Sequence, residues 1–424
     1  MKRFAGALAF VIAVTQLVAC GGPTPAPPPD HRLVGYAMLP AASFVDGPTS
    51  GQFAGGGNGV TGPFEGQQPV QGVSALLPES SGRFLAMSDN GFGTQENSPD
   101  YVLVVYRFVP SLKTSAGGEA TIGFETAMTL RDREDKIGFP IVAEQETYRA
   151  DPEVPVEDAI PVDEAIKEGR LITGADLDIE SFRRMSDGTF WFGDEFGPFL
   201  IYTDASGVLL RPPVPLPGVK SPQSPFLGSD QPNAQPSGGF EAMAQSIDGS
   251  RLYPMLEKPL EGAPEGELNI YEFDPMSGAY VSEEPVRKYR LDPAAIGASE
   301  FVALSENTFL VLERDAEQGA EARHKKIYLV DFGVMDAEGY LLKREVVDLL
   351  SIPDPNNIGG LGETFNFPYV TIESIAVFDD NTIAVANDNN YPFSLGRHLA
   401  AGAPDDTELI LIRFQERLAD LTVQ

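Results

Sequence analysis

Four carboxylates raise the question of what this chain can do. Asp178 and Glu180 open the run LDIESFRRMSDGTFWFGDEFGPFLIY (residues 177–202), and Asp194 and Glu195 lie in its second half. In an extended strand residues i, i+2 and i+4 share a face, so Asp176, Asp178 and Glu180 can line one side of one strand. Carboxylates held that close repel each other unless a cation, a proton or hydrogen-bond donors intervene.

The pattern recurs. Glu180, Glu241, Glu300 and Glu373 stand at similar places in four strand-like repeats. A polar pair also recurs at the end of a second strand: Asp89 with Asn90, Asp194 with Glu195, Glu257 with Lys258, Glu313 with Arg314, and Asn387 with Asp388. Hard oxygen donors converging on one axis suit Ca²⁺, which takes about six to eight oxygens in tolerant geometry. Asp178, Glu180, Asp194, Glu241, Glu313 and Asp388 are therefore candidate ligands, and Glu195 a carboxylate left to deprotonate water. Lys258 and Arg314 are candidates for holding an anionic substrate group beside the ion. The competing reading makes the repeated glutamates latches between neighbouring elements and the two cations ordinary ion-pair partners.

The elements that must position these groups are short strands joined by Gly, Asp or Asn turns, the signature of hairpins. Five units share one grammar of strand, polar turn, second strand and polar pair; they begin at Gly72, Asp178, Gly239, Ala298 and Thr371. A period near 60 residues fits four-stranded blades of a β-propeller with loop insertions. The 106 residues between the first two units leave room for another blade containing ATIGFETAMTL. An all-β propeller of six blades is the expectation, with five and seven also compatible. RLVGYAMLP near the N-terminus and ELILIRFQ near the C-terminus are available to close the ring. Trp191 and Phe192 read as core, the stretches 47–66 and 211–239 as long loops, and the segment from Val154 as one or two helical turns.

The first residues read as processing signal. Lys2 and Arg3, an apolar run and LVAC ending at Cys20 are similar to a bacterial lipoprotein signal, residues 1–19, with Cys20 lipidated and 20–31 a Pro-rich tether. Cys20 is the sole cysteine and has no disulfide partner. Residues 32–424 would form one monomeric domain, extracytoplasmic and attached to membrane through the lipid alone. Gly21 in place of Asp points to the outer membrane in a Gram-negative source. The net charge of −32, or −34 once Lys2 and Arg3 leave, disfavours nucleic acid and anionic lipid as partners.

Other catalytic constellations are missing. There are three histidines, His31, His324 and His398, and no G-x-S-x-G elbow or zinc-type His-Cys cluster. The runs DIESFRRMSDGTFWFGDEFGPFLIYTDASGVLL, GFEAMAQSIDGSRLYPMLEKPL and FLVLERD resemble the phytase-like domain family, often described by an esterase-like activity of phytase. The resemblance spans about Leu33 to Phe414 and implies a secreted or lipid-anchored propeller that hydrolyses phosphate or other esters. It brings no catalytic set to carry over. The R-H-G-x-R-x-P motif of histidine acid phytases is absent, since Arg397 and His398 continue into Leu399 and Ala400. The expected activity is Ca²⁺-dependent cleavage of a small phosphate ester. A lactonase or carboxylesterase and a non-enzymatic binder of a cell-envelope or protein partner are the alternatives.

Overall fold

Five antiparallel blades, two of them joined at their outer edges by a parallel Met38–Thr121 pairing, stand in a ring in the computed structural model, which describes residue 28, residues 30–148 and residues 159–423. Cys20, the signal 1–19, most of the tether and residues 154–158 lie outside the described residues. Among those described, no helix is long and apolar enough to cross a membrane.

Blade I consists of Ala75–Pro78, Phe84–Met87, Val104–Ser111 and Thr121–Thr129. Blade II is Ile179–Arg184, Phe190–Asp194, Phe199–Thr203 and Val214–Pro215. Blade III begins with Ala242–Gln245 and Leu252–Met255; its third strand is split into Glu267–Ile270 and Phe273–Asp274, its fourth into Ala279–Tyr280 and Arg287–Arg290. Blade IV is Gly297–Ala303, Thr308–Arg314, Lys325–Met335 and Leu341–Asp348. Blade V takes Thr371–Asp379, Thr382–Asp388 and Thr407–Phe414 from the end of the chain and His31–Leu39 from its beginning. The innermost strands of I, II, III, IV and V pack side by side in that order and close on each other.

The first strand pairs with the last, His31 opposite Phe414 through Leu39 opposite Thr407, so the two ends of the fold are clasped in one blade, as expected. His31, placed in the tether from sequence, is the first residue of that clasp. Alternate residues of this strand are buried, the two-residue period of a half-covered sheet face.

The sixth blade is absent among the described residues. ATIGFETAMTL does form a strand, but Thr121–Thr129 pairs with Val104–Ser111 and completes blade I as its outermost strand. Residues 130–148 and 159–178 then belong to no blade. Asp132 accepts the backbone N–H groups of Lys136 (2.7 Å) and Ile137 (3.1 Å), and a six-residue helix, Glu164–Gly169, is capped by Asp163. Local spacing cannot separate an additional blade from a capped loop of similar length.

Hairpin turns follow the local chemistry. Asp187 accepts the N–H of Thr189 at 3.0 Å, and Gly188 takes the positive φ of 89° that the turn requires. Trp191 is fully buried, stacked on Tyr202 with ring centroids 4.6 Å apart and edge-on to Phe273 at 4.8 Å, and so joins blades II and III. Serine hydroxyls latch three of the blade junctions. Ser181 Oγ donates to Phe240 O (3.0 Å), Ser299 Oγ to Ile372 O (2.8 Å) and Ser374 Oγ to Val73 O (2.9 Å), linking II to III, IV to V and V to I.

Candidate metal centre

The inner strands of blades II, IV and V each carry a register shift near their start, between Ile179 and Ser181, Ala298 and Glu300, and Ile372 and Ser374. The extra residues are Glu180, Ser299 and Glu373. A bulge re-aims a side chain and restores pairing beyond it. Glu241 in blade III and Ser74 in blade I take the corresponding places just before their strands. Glu300 therefore does not belong with Glu180, Glu241 and Glu373; it falls one residue later. Its Oε1 accepts Arg183 Nη2 at 2.8 Å, and the same nitrogen donates to Phe301 O at 2.9 Å. Blades II and IV are not neighbours, so this buried pair crosses the channel and floors it. Burial pushes the Glu300 carboxyl up to about 7, with the Arg183 guanidinium opposing that rise.

The second-strand pairs resolve in the same way. Asp89, Glu195, Glu257, Arg314 and Asp388 face the channel, one from each blade. The residues just before them, Ser88, Asp194, Leu256, Glu313 and Asn387, do not line it. Two candidate ligands are corrected by this alternation. Asp194 accepts the backbone N–H of Asp178 on Oδ1 (2.9 Å) and of Gly197 on Oδ2 (2.7 Å), so both its oxygens are spent holding the strand ends. Glu313 is bound on the far side by Tyr289 OH (2.5 Å), His324 Nε2 (2.9 Å), Asp292 N (3.2 Å) and Lys343 Nζ. Burial raises its pKa, but the bonds from His324 and Lys343 outweigh that and hold it below the ordinary value. Glu313→Gln should cost about 1–3 kcal/mol of stability by leaving buried donors poorly matched. Ca²⁺ affinity should be unchanged; urea unfolding and titration calorimetry check the two halves of that expectation.

The remaining predicted residues are brought together. Asp178, Glu180, Glu195, Glu241, Asp388, Lys258 and Arg314 line one chamber of about 190 Å³, and Asp89, Asn90, Glu257, Glu373, Ser237, Thr371 and Asn390 complete most of its wall. Eight carboxylates thus face two cations, and none of the eight is more than 8% exposed. Sequence reasoning placed Asp89, Glu257 and Glu373 in the repeats without assigning them to the site; the signal that finds them is the repeat aligned with the bulges counted.

Both cations are committed. Arg314 Nη2 lies 3.4 Å from Glu241 Oε1, 3.2 Å from Glu257 Oε1 and 3.2 Å from Glu373 Oε1. Lys258 Nζ sits 2.9 Å from Glu257 Oε2 and donates to the Ser237 carbonyl of the 211–239 loop, which closes one side of the mouth. Burial pushes the carboxyls of Asp89, Glu180, Glu195, Glu241, Glu373 and Asp388 upward, and repulsion from neighbouring carboxylates adds to it. Asp89 reaches about 8 through burial and Asp178, and Glu373 about 8 through burial in spite of Arg314. Glu180, Glu195, Glu241 and Asp388 rise well above the ordinary range, each chiefly by burial.

One half of the chamber fits a cation. Asp178, Glu180 and Glu195 each place an oxygen within 4.8 Å of the others. Asn90 Nδ2 donates to Asp178 Oδ2 at 2.8 Å and fixes that side chain. Asp178 Oδ1 and Glu195 Oε1 are buried without a hydrogen-bond partner, an expensive state for a polar atom. An all-oxygen set of carboxylates suits Ca²⁺ or Mg²⁺ and not a thiophilic metal.

A family model described as "Phytase-like: Esterase-like activity of phytase" matches residues 68–391. An "Uncharacterized secreted protein" of Arthroderma benhamiae is 29% identical over 198 residues, and the match covers 37% of this chain and 37% of that relative. Among solved structures, a luciferin-regenerating enzyme aligns over 84% of this chain and 83% of its own at 11% identity and TM-score 0.37. The PQQ-bound aldose sugar dehydrogenase of Streptomyces coelicolor aligns over 92% and 100% at 12% identity and TM-score 0.35. At those scores the likenesses say nothing about chemistry.

Proposed function

The chain belongs to the phytase-like family, and from that premise we propose that it is an extracytoplasmic, cation-dependent ester hydrolase. Its centre is the Asp178, Glu180 and Glu195 half of the chamber. The observation that carries this reading is the pair of orphaned oxygens, Asp178 Oδ1 and Glu195 Oε1, converging with Glu180 in a buried site. Ca²⁺ is the ion best matched to an irregular carboxylate set. When bound there, it would supply Lewis acidity for an ester oxygen and lower the pKa of water.

The chain's own groups divide the remaining work. Glu195 becomes a ligand rather than the base assigned to it from sequence. Asp89 and Asp388 line the same space and are the carboxylates left to accept a proton from water. The Ser237 carbonyl holds Lys258 at the mouth, where its ammonium is the cation nearest an incoming substrate. The secreted relative agrees with an extracytoplasmic site of action, and the lipid anchor at Cys20 and a monomeric state remain part of the proposal.

Two ester classes follow. A phosphate ester is the substrate that the family's name favours. An uncharged carboxylic ester or lactone is favoured by a specific observation, the commitment of Arg314 and Lys258 to carboxylates, which leaves little positive charge for a phosphate dianion. We take the uncharged ester as the better match.

Hydrolysis of p-nitrophenyl acetate, p-nitrophenyl phosphate and bis-p-nitrophenyl phosphate by the body from Asp30, with Ca²⁺ and with EDTA, separates these readings. Calcium-dependent release of nitrophenol from the acetate is the expected result. Release from a phosphate substrate instead would restore the phosphoesterase. No release from any of the three would leave a binding protein.

A further inference from the structure

The chamber holds a second trio of converging oxygens, on Glu195, Glu241 and Glu257, also within 4.8 Å of one another. Two of these carboxylates already have a cation between them. Arg314 Nη2 contacts Glu241, Glu257 and Glu373 through one oxygen of each, at 3.4, 3.2 and 3.2 Å.

This is an unusual way to use a guanidinium. Arginine ordinarily meets a carboxylate with two parallel N–H bonds from its planar fork. Here one nitrogen gathers three carboxylates, as a point cation does, while the buried Nε has no partner. The position in the repeat agrees. Asp89, Glu195, Glu257 and Asp388 occupy the second-strand place in four blades, and Arg314 is the fifth member of that ring. The fully buried oxygens without a partner in the chamber are Asp178 Oδ1 and Glu195 Oε1, both in the first trio.

We infer that the chamber is built as a two-cation centre in which the Arg314 guanidinium permanently fills one position, so that each chain takes a single free divalent cation beside Asp178, Glu180 and Glu195. The inference rests on the proposed cation site for its second half. It limits the chemistry, because one ion cannot clamp both the attacking and the leaving oxygen as a two-metal site does. It also explains how so acidic a chamber closes around strands from five blades: the guanidinium is covalently delivered and cannot be lost to dilution.

Counting Ca²⁺ per folded chain by equilibrium dialysis tests this on the wild-type body, on Arg314→Lys and on Arg314→Met. The expected counts are one, one and two, with the second ion of Arg314→Met lost again when Glu241→Gln is added. Two ions on the wild type would overturn the inference, as would a folded Arg314→Met that takes no more ions than the wild type at saturating Ca²⁺. If Arg314→Met does not fold, Arg314→Gln combined with Glu373→Gln removes one carboxylate together with the guanidinium. That variant should still take two ions, and one ion there overturns the inference. No ion on the wild type but one on Arg314→Met would sink the free-ion site while upholding the guanidinium as a stand-in. No ion on either protein would overturn both.

Discussion

Glu195→Gln is expected to lower Ca²⁺ affinity by about 100-fold or more and to remove ester hydrolysis, because loss of outer-shell partners alone costs metal sites about 10–100-fold. Glu195 is the residue common to both trios of converging oxygens, and its Oε1 is one of the two orphans. The same substitution should leave the propeller folded. In EDTA it should raise the melting temperature above that of the wild type. Burial disfavours the Glu195 carboxylate, and Glu241, Glu257 and Asp178 add repulsion, so a neutral amide of nearly the same shape relieves the chamber when no ion is present. With Ca²⁺ the order reverses, since only the wild type gains the linkage stabilisation of a bound ion. Calorimetric melts of both proteins in EDTA and in Ca²⁺ give four numbers. Unchanged Ca²⁺ stabilisation in Glu195→Gln would remove this residue from the site.

The second large effect is the pH dependence of stability without metal. In EDTA the melting temperature should fall as pH rises from about 5 to about 9. The carboxyls of Asp89 and Glu373 have folded-state values of about 8, far above an unfolded carboxylate near 4. Between those limits the folded chain binds more protons than the unfolded chain, so stability declines with pH, and the decline ends above the folded value. Glu180, Glu195, Glu241 and Asp388 are displaced in the same direction and add to it. Ca²⁺ should flatten or reverse the trend, because ion binding requires the deprotonated ligands and strengthens as they form. Melts at pH 5, 7 and 9 in EDTA and in Ca²⁺ decide the matter. Superimposable curves would mean that these acids hold no cation and that protons alone reconcile them.

Much of the architecture was legible from local chemistry. Alternating strands, Asp- and Gly-bearing turns and a repeated grammar implied a propeller, and the terminal strands RLVGYAMLP and ELILIRFQ pair with each other in blade V. These features depend on neighbours in sequence. The convergence of Asp178, Glu180, Glu195, Glu241, Asp388, Lys258 and Arg314 was also anticipated, since repeats that fold alike must present equivalent positions to one axis.

What only the tertiary structure decided turns on single residues. Side chains alternate along a strand, so a shift of one residue reverses every facing. Three bulges put Ser299, not Glu300, at the place that Glu180 and Glu373 hold in their own blades; at the ends of the second strands Asp194 and Glu313 turn away from the channel, and Asp89 and Glu257 face it. A bulge leaves no mark in composition or period. The blade count, five rather than six, was hidden for a related reason: a capped insertion and a missing blade have the same length. The commitment of Arg314 to three carboxylates and of Arg183 to Glu300 across the channel joins residues 57 to 117 positions apart. Such pairings exist only once the ring has closed, because ring closure is what brings strands of different blades within hydrogen-bonding distance.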